Sequence, residues 1–389
     1  MKNKLYRNSL LNLLKNCIVF IAAILLFASC QYRQKPQPEV YHPPEKKSII
    51  QQDTLKVKSD TIQRDSLCIV AVGDIMLGTS YPDDKTLPPD SAKGSFKNVV
   101  KELRNADVTF GNLEGTLLDT GAPANYRLHQ LRPPYLFRMP VNFAGVLKDA
   151  GFNVLSLANN HIGDFDNAGR LSTMKVLDSL GIKHGGQVSR PAAVFKINGV
   201  TYGFCAFAPN GYTLSILDLK NAGRIIRKLK QKCDVLIVSF HGGGEGLAYE
   251  HVPDSTEVYI NEKRGNVKAF AHAAVDAGAD LVFGNGPHVC RGMERYKDRL
   301  IAYSLGNFCT YKCVSVAGIC GLAPILKVYV NKTGEFLSGR IISAKQDHLT
   351  GLEPDPLNKA AIRIKQLTAV DFPASGLNIS DEGLVTKLN

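Results

Sequence analysis

The chain has 389 residues, 44% hydrophobic and 21% charged, an ordinary globular composition long enough for one large domain or two smaller ones. Its formal net charge is +12, but half of that excess lies in residues 1–66, with 11 Lys/Arg against 5 Asp/Glu. The rest is spread thinly, with no arginine-rich helix and no basic stripe interleaved with aromatics, which excludes nucleic acid as an expected partner; a mild basic balance suits an anionic substrate or a membrane surface.

The first 30 residues read as a lipoprotein leader. A basic start precedes an apolar run over 18–28, shorter than the roughly 20 residues a spanning helix needs. The run ends in Leu26-Phe27-Ala28-Ser29-Cys30, which resembles a bacterial lipobox, where the cysteine becomes the lipidated first residue of the mature protein. This predicts a domain outside the cytoplasm, lipid-anchored in the cell envelope; the alternative is an uncleaved signal anchor. Residues 31–66 are rich in Pro, Gln, Lys and Ser and read as a disordered tether. Of nine cysteines, seven follow Cys30, with no CxxC pair or zinc-finger frame. Several lie in apolar runs, where a thiol acts as a small hydrophobe, and no pairing among Cys309, Cys313 and Cys320 is expected.

From Leu67 the chain alternates strands and helices. "LCIVAVGDIML" reads as a strand, "SFKNVVKELRNA" as a helix, "DVTFGNLEG" as a strand, and "VNFAGVLKDAG" as a helix stopped by Gly151. "NVLSLANNH" reads as a strand, and the helix "NAGRLSTMKVLDSLG" takes Asp166 or Asn167 as its cap. "AVFKINGVTYGFCAFAPN" is a hairpin turning at Asn198-Gly199. A helix, the strand "DVLIVSFHGGGEG", a further helix and the strand "DLVFGNGPH" follow, then paired strands to about residue 345. Residues 346–389 are expected to be a C-terminal extension with one helix. The alternation implies one α/β domain over 67–345, and runs such as Leu236-Ile237-Val238, apolar on both faces, imply strands covered on both sides.

Ligand sites in open α/β sheets lie beyond the carboxyl ends of the strands. Five strands here end in polar clusters: Asp74, Asn112 with Glu114, Asn159-Asn160-His161, His241 with Glu245, and Asn285 with His288. A single Asp or His in such a place is ordinarily a turn, cap or structural residue. Five clusters brought to one edge supply carboxylates, an amide oxygen and imidazoles, the donor set of a metal or catalytic centre. No GxSxG elbow, Walker loop or dinucleotide fingerprint is present, and Ser239 sits inside its strand. Metal-activated water is then the natural nucleophile, with His161 placed to protonate a leaving group and Asn160 beside it as a ligand. Asp164 is placed to hold His161.

The segments "VAVGDIMLG", "ADVTFGNLEG", "FNVLSLANNHIGDFDNAG", "VLIVSFHGGGE", "GNGPHV" and "LIAYSLGNF" resemble, in this order, the CapA family of capsule-synthesis proteins associated with poly-gamma-glutamate. That domain is similar to calcineurin-like metallophosphatases. The resemblance implies an α/β/β/α sandwich of two mixed sheets flanked by helices, and one or two divalent ions (Mn, Zn, Fe or Mg). It implies metal positions at Asp74, Glu114, Asn160, His241 and His288, with His161 as general acid. It leaves Asn112, Asp164, Glu245 and Asn285 as supporting positions, Arg138 in "FRMP" as an anion binder, and Tyr303, Ser304 and Asn307 as site support or packing. Two departures bear on the second metal: Met76 stands where metallophosphatases carry Asp-x-His, and Asn285-Gly286 precedes Pro-His. Two functions follow as expectations. One is a metal-dependent hydrolase acting on an anionic polymer or phosphorylated precursor. The other is a non-catalytic factor that binds polymer or polymer-synthesis machinery and keeps a structural or decayed metal site.

Overall fold

The computed structural model describes residues 66–129, 135–348 and 351–388. The leader, Cys30 and all of the tether but Ser66 lie outside these residues. The first sheet starts with β1 (Leu67–Met76), β2 (Val108–Leu113), β3 (Val154–Ser156) and β4 (Lys183–Gly185), all parallel. A second sheet follows from β5 (Ala192–Ile197), β6 (Val200–Phe207), β7 (Val235–His241), β8 (Leu281–Asn285), β9 (Met293–Tyr296) and β10 (Arg299–Ala302). The chain then returns to the first sheet. There β11 (Asn307–Thr310) pairs with β1, and β12 (Leu322–Val330), β13 (Phe336–Asp347), β14 (Gly351–Pro354), β15 (Leu377–Ile379) and β16 (Leu384–Lys387) extend it. The strand orders are β15-β16-β13-β12-β1-β2-β3-β4 and β9-β10-β8-β7-β6-β5.

The period of two in β1 sorts its side chains between two cores. Ile69 and Ala71 face the second sheet, while Val70 and Val72 face helices α1 (Val100–Arg104), α2 (Phe143–Ala150) and α3 (Asp166–Ser179). In β7, Ile237 joins the inter-sheet core, while Leu236 and Val238 face α4 (Leu219–Lys230) and α5 (Val267–Asp276). Helices, sheet, sheet and helices therefore stack as four layers, the α/β/β/α order expected. Phe110 ties the two sheets together, its ring centroid 5.7 Å from that of Phe204 and 5.5 Å from that of Phe283. Truncating such a residue costs about 3–5 kcal/mol. Local signals set the boundaries. Gly151 ends α2 at φ 104°, and Asp218 and Asn266 cap α4 and α5 by accepting from Asn221 and Ala269 N–H. The hairpin turns at Asn198 and Gly199, both with positive φ.

Three expectations need correction. The helix over "SFKNVVKELRNA" is only Val100–Arg104; Phe96 and Val99 before it are buried in the outer core on tight turns. Residues 346–389 are no appendage. Strand β14 pairs with β13, Gly339 pairs with Val385 of β16, and α6 (Lys359–Asp371) buries Ala360, Ala361 and Ile364 in the inter-sheet core. Asp166 opens α3 without capping it, because the cap position is Phe165 and no side chain accepts there. Cys309, Cys313 and Cys320 carry free thiols.

Candidate functional site

The carboxyl ends of both sheets meet at one place. Asp74 arrives on β1, its N–H donating to the Gly306 carbonyl at 2.9 Å. The preceding Gly73 permits this approach, since a Cβ there would lie 1.9 Å from Gly306 O. Glu114, just past β2, is fixed by its N–H to the Ile75 carbonyl at 2.9 Å. His241 ends β7 in the other sheet, in register with Asn285 of β8. Ligand atoms of Asp74, Glu114 and His241 lie within 4.8 Å of one another, and all three residues are buried. Glu114 Oε1 and His241 Nε2 have no hydrogen-bond partner, and Asp74 Oδ2 has only the His288 ring, with Nδ1 3.1 Å away. Buried polar atoms normally find hydrogen-bond partners, so carboxylate oxygens and an imidazole nitrogen converging with so few fit a divalent cation bound by oxygen and nitrogen.

The electrostatics agree. Burial, then the charges of Asp74 and Glu245, push the Glu114 carboxyl well above the usual range. Burial, then the Arg264 and His288 charges, push His241 well below its usual value, which favours a neutral ring. Burial opposes a charged His288, but the carboxylates of Glu114, Asp74 and Glu245 outweigh it and raise that ring well above its usual value. Its Nδ1 lies 3.1 Å from Asp74 Oδ2 and its Nε2 3.7 Å from Glu114 Oε1. His288 thus supplies positive charge where the carboxylates demand it.

A second cluster holds His161. Its Nδ1 lies 2.9 Å from Asp164 Oδ2, which also accepts from Phe137 N–H at 2.8 Å. Arg127 Nε reaches the other carboxylate oxygen at 2.9 Å, and the Phe137 ring stacks on the imidazole at 4.1 Å. Asn159 shapes the turn: its Oδ1 accepts from His161 and Ile162 N–H, and its Nδ2 donates to the Leu113 carbonyl and Asn112 Oδ1. Asn112 in turn donates to Asp74 Oδ1 at 2.8 Å, joining the acid–base cluster to the carboxylate centre.

Residues 68–312 match the family described as bacterial capsule synthesis protein PGA_cap. The chain belongs to this family. It is similar to the PGA biosynthesis protein CapA of Bacillus subtilis (30% identity, 66% of each chain) and to the capsule biosynthesis protein CapA of Bacillus anthracis (29% identity, 63% of this chain and 60% of that one). The chain therefore spans about two thirds or less of these relatives' length. Solved structures that overlay on it include a 5'-nucleotidase precursor from Thermus thermophilus (14% identity, 78% of this chain and 59% of that one, TM-score 0.38). Another is purple acid phosphatase PPD1 from yellow lupin (9% identity, 72% and 51%, TM-score 0.39).

Within this capsule-synthesis domain the remaining candidates divide. Asn160 Oδ1 and Asn285 Oδ1 are buried acceptors without partners; the Asn285 amide donates to Ser239 Oγ at 3.3 Å. Asn307 Oδ1 lies 2.9 Å from His288 Nδ1, and Glu245 Oε1 is ion-paired with Arg264 Nη2 at 2.9 Å. Ser304 Oγ donates to the Val289 carbonyl and accepts from Gly306 N–H, shaping the turn against Gly73. One expectation fails on geometry. Arg138 is not free to bind an anion: its Nε, Nη1 and Nη2 donate to Ser80 Oγ, the Gly121 carbonyl and the Ser80 carbonyl. Tyr303 takes the packing alternative: it belongs to the outer core of the second sheet, its hydroxyl on Glu294 at 2.5 Å and its ring stacked on Phe372. Met76 and Gly286 are explained by packing: Met76 is fully buried, and Gly286 takes φ 112°. Sequence reasoning placed Asn159 in its strand-end cluster without giving it a role, and passed over Arg127 and Arg264 altogether. A paired amide after a strand signals the first; Arg127 and Arg264 carry no local signal.

Proposed function

We propose that the chain is a metal-dependent hydrolase of capsule or poly-gamma-glutamate-type polymer biosynthesis, acting on an anionic polymer or phosphorylated precursor. The observation that carries this reading is the convergence of buried ligand atoms of Asp74, Glu114 and His241 within 4.8 Å of one another. These residues would hold a divalent ion, with Asn160 and His288 as further donors. Such an ion supplies Lewis-acid polarisation of a phosphoryl or carbonyl oxygen and acidifies a water. The chain's own part is proton transfer and alignment. Asp164 fixes His161 Nδ1–H and stabilises its imidazolium, which leaves Nε2 to protonate the leaving group. Asn159 and Asn112 set the distance between that donor and the carboxylates. The leader extends the proposal to a lipid anchor at Cys30 and a place in the cell envelope, in reach of polymer-synthesis machinery.

Elemental analysis of the purified protein, with a screen of phosphate esters and gamma-glutamyl peptides, tests the assignment. Bound metal and turnover that His161→Ala abolishes without unfolding are expected; unchanged turnover in that variant would sink it. The competing reading, a non-catalytic assembly factor, draws on His288, whose charge already offsets Asp74 and Glu114. It predicts a folded protein with no stoichiometric metal and no turnover.

A further inference from the structure

Arg264 is a buried cation used neither by the acceptor set nor by the His161 cluster. Its carbonyl accepts from Gly243 N–H at 3.1 Å, two residues beyond His241, and a Cβ on the intervening Gly242 would lie 2.8 Å from that oxygen. The side chain is 5% exposed. Its fork is ion-paired on two sides, Nη2 with Glu245 Oε1 at 2.9 Å and Nε with Glu262 Oε2 at 3.3 Å, and Cζ lies 5.4 Å from the Tyr259 ring centroid. The remaining nitrogen, Nη1, is buried with no hydrogen-bond partner. A guanidinium donor taken from water and given no acceptor is costly, and a planar fork held by carboxylates suits an oxyanion. The Arg264 charge also acts on Glu114 and His241, so it lies within the field of the centre.

We propose that Arg264 reads the negative charge of the substrate, its Nη1 donating to an oxygen of a phosphoryl group or carboxylate beside Asp74, Glu114 and His241. Glu245 and Glu262 orient the fork. The proposal deepens the hydrolytic reading and rests on it for the nature of the substrate, but binding is measured without turnover. Inorganic phosphate and, separately, glutarate are titrated calorimetrically into the full-length protein in detergent with manganese. Arg264→Met is expected to weaken binding about 10- to 100-fold, the value of one charged hydrogen bond, and Arg264→Lys to recover part of it. Arg224→Met, which removes an equal charge from the exposed face of α4, changes affinity by less than about two-fold. Thermal melting reports folding of each variant, and Glu245→Gln/Arg264→Met removes both charges if the single change unfolds. Loss confined to phosphate identifies a phosphoryl substrate, and loss confined to glutarate identifies a carboxylate; either supports the role. Equal affinity in wild type and folded Arg264 variants, or no binding of either anion by wild type, overturns it. Arg264-dependent binding without turnover of any phosphate ester or gamma-glutamyl peptide would retain this role while removing the hydrolytic one.

Discussion

Asp164→Asn tests the site most directly, because one buried carboxylate serves three partners: His161 Nδ1, Arg127 Nε and Phe137 N–H. The substitution leaves Arg127, 10% exposed in its side chain, without a counter-ion. Breaking a buried pair from one side costs about 3–5 kcal/mol. The amide carbonyl still accepts one hydrogen bond, worth about 1 kcal/mol, so the expected net loss is about 2–4 kcal/mol. For a domain of this size that is a fall in Tm of roughly 4–10 °C. The amide also no longer stabilises the imidazolium of His161, so turnover falls about 100-fold, the lower end of a general acid's contribution. Circular dichroism melting reads the first effect and hydrolysis of a phosphodiester probe the second. In a background of His161→Ala the substitution should lower Tm again but leave turnover unchanged, since the two residues act as a unit. A Tm within about 1 °C of wild type, or turnover losses that multiply in the double variant, would refute the reasoning.

Glu114→Gln should abolish metal binding in elemental analysis yet leave the Tm of the metal-free protein close to wild type, because burial already favours the neutral carboxyl that the amide mimics. Metal affinity should rise with pH. Protons held on Glu114 and His288, both raised above their usual values, compete with the ion and leave as pH increases; calorimetry in buffers of different ionisation enthalpy should show proton release on binding. Gly73→Ala should cost about 3 kcal/mol or more, read from Tm, because its Cβ would meet backbone at Gly306 and Leu305 that has no room to yield.

Much of the centre was legible because metal-ligand residue types sit at strand ends, and strand ends show in the apolar runs before them. Asp74, Glu114, His241 and His161 were singled out this way, and the structure brings ligand atoms of the first three within 4.8 Å of one another. Arg138 misled because a motif neighbour need not face the site: it turns to Ser80 and Gly121. The tail misled for a related reason, since pairing of β16 with β13 is non-local and leaves no mark in either segment.

The sequence by itself determined the strand and helix alternation, the positive-φ turn at Asn198-Gly199, the stop at Gly151 and the identity of the donors. These depend on hydrophobic period and on backbone preferences within a few residues. Only the tertiary structure decided which donors converge. Asp74 and Glu114 come from one sheet and His241 from the other, and Arg264 reaches Glu245, four residues past His241, from a segment with no strand-end signature. Sheet order and face-to-face packing set those distances, and both arise from contacts between segments far apart in the chain.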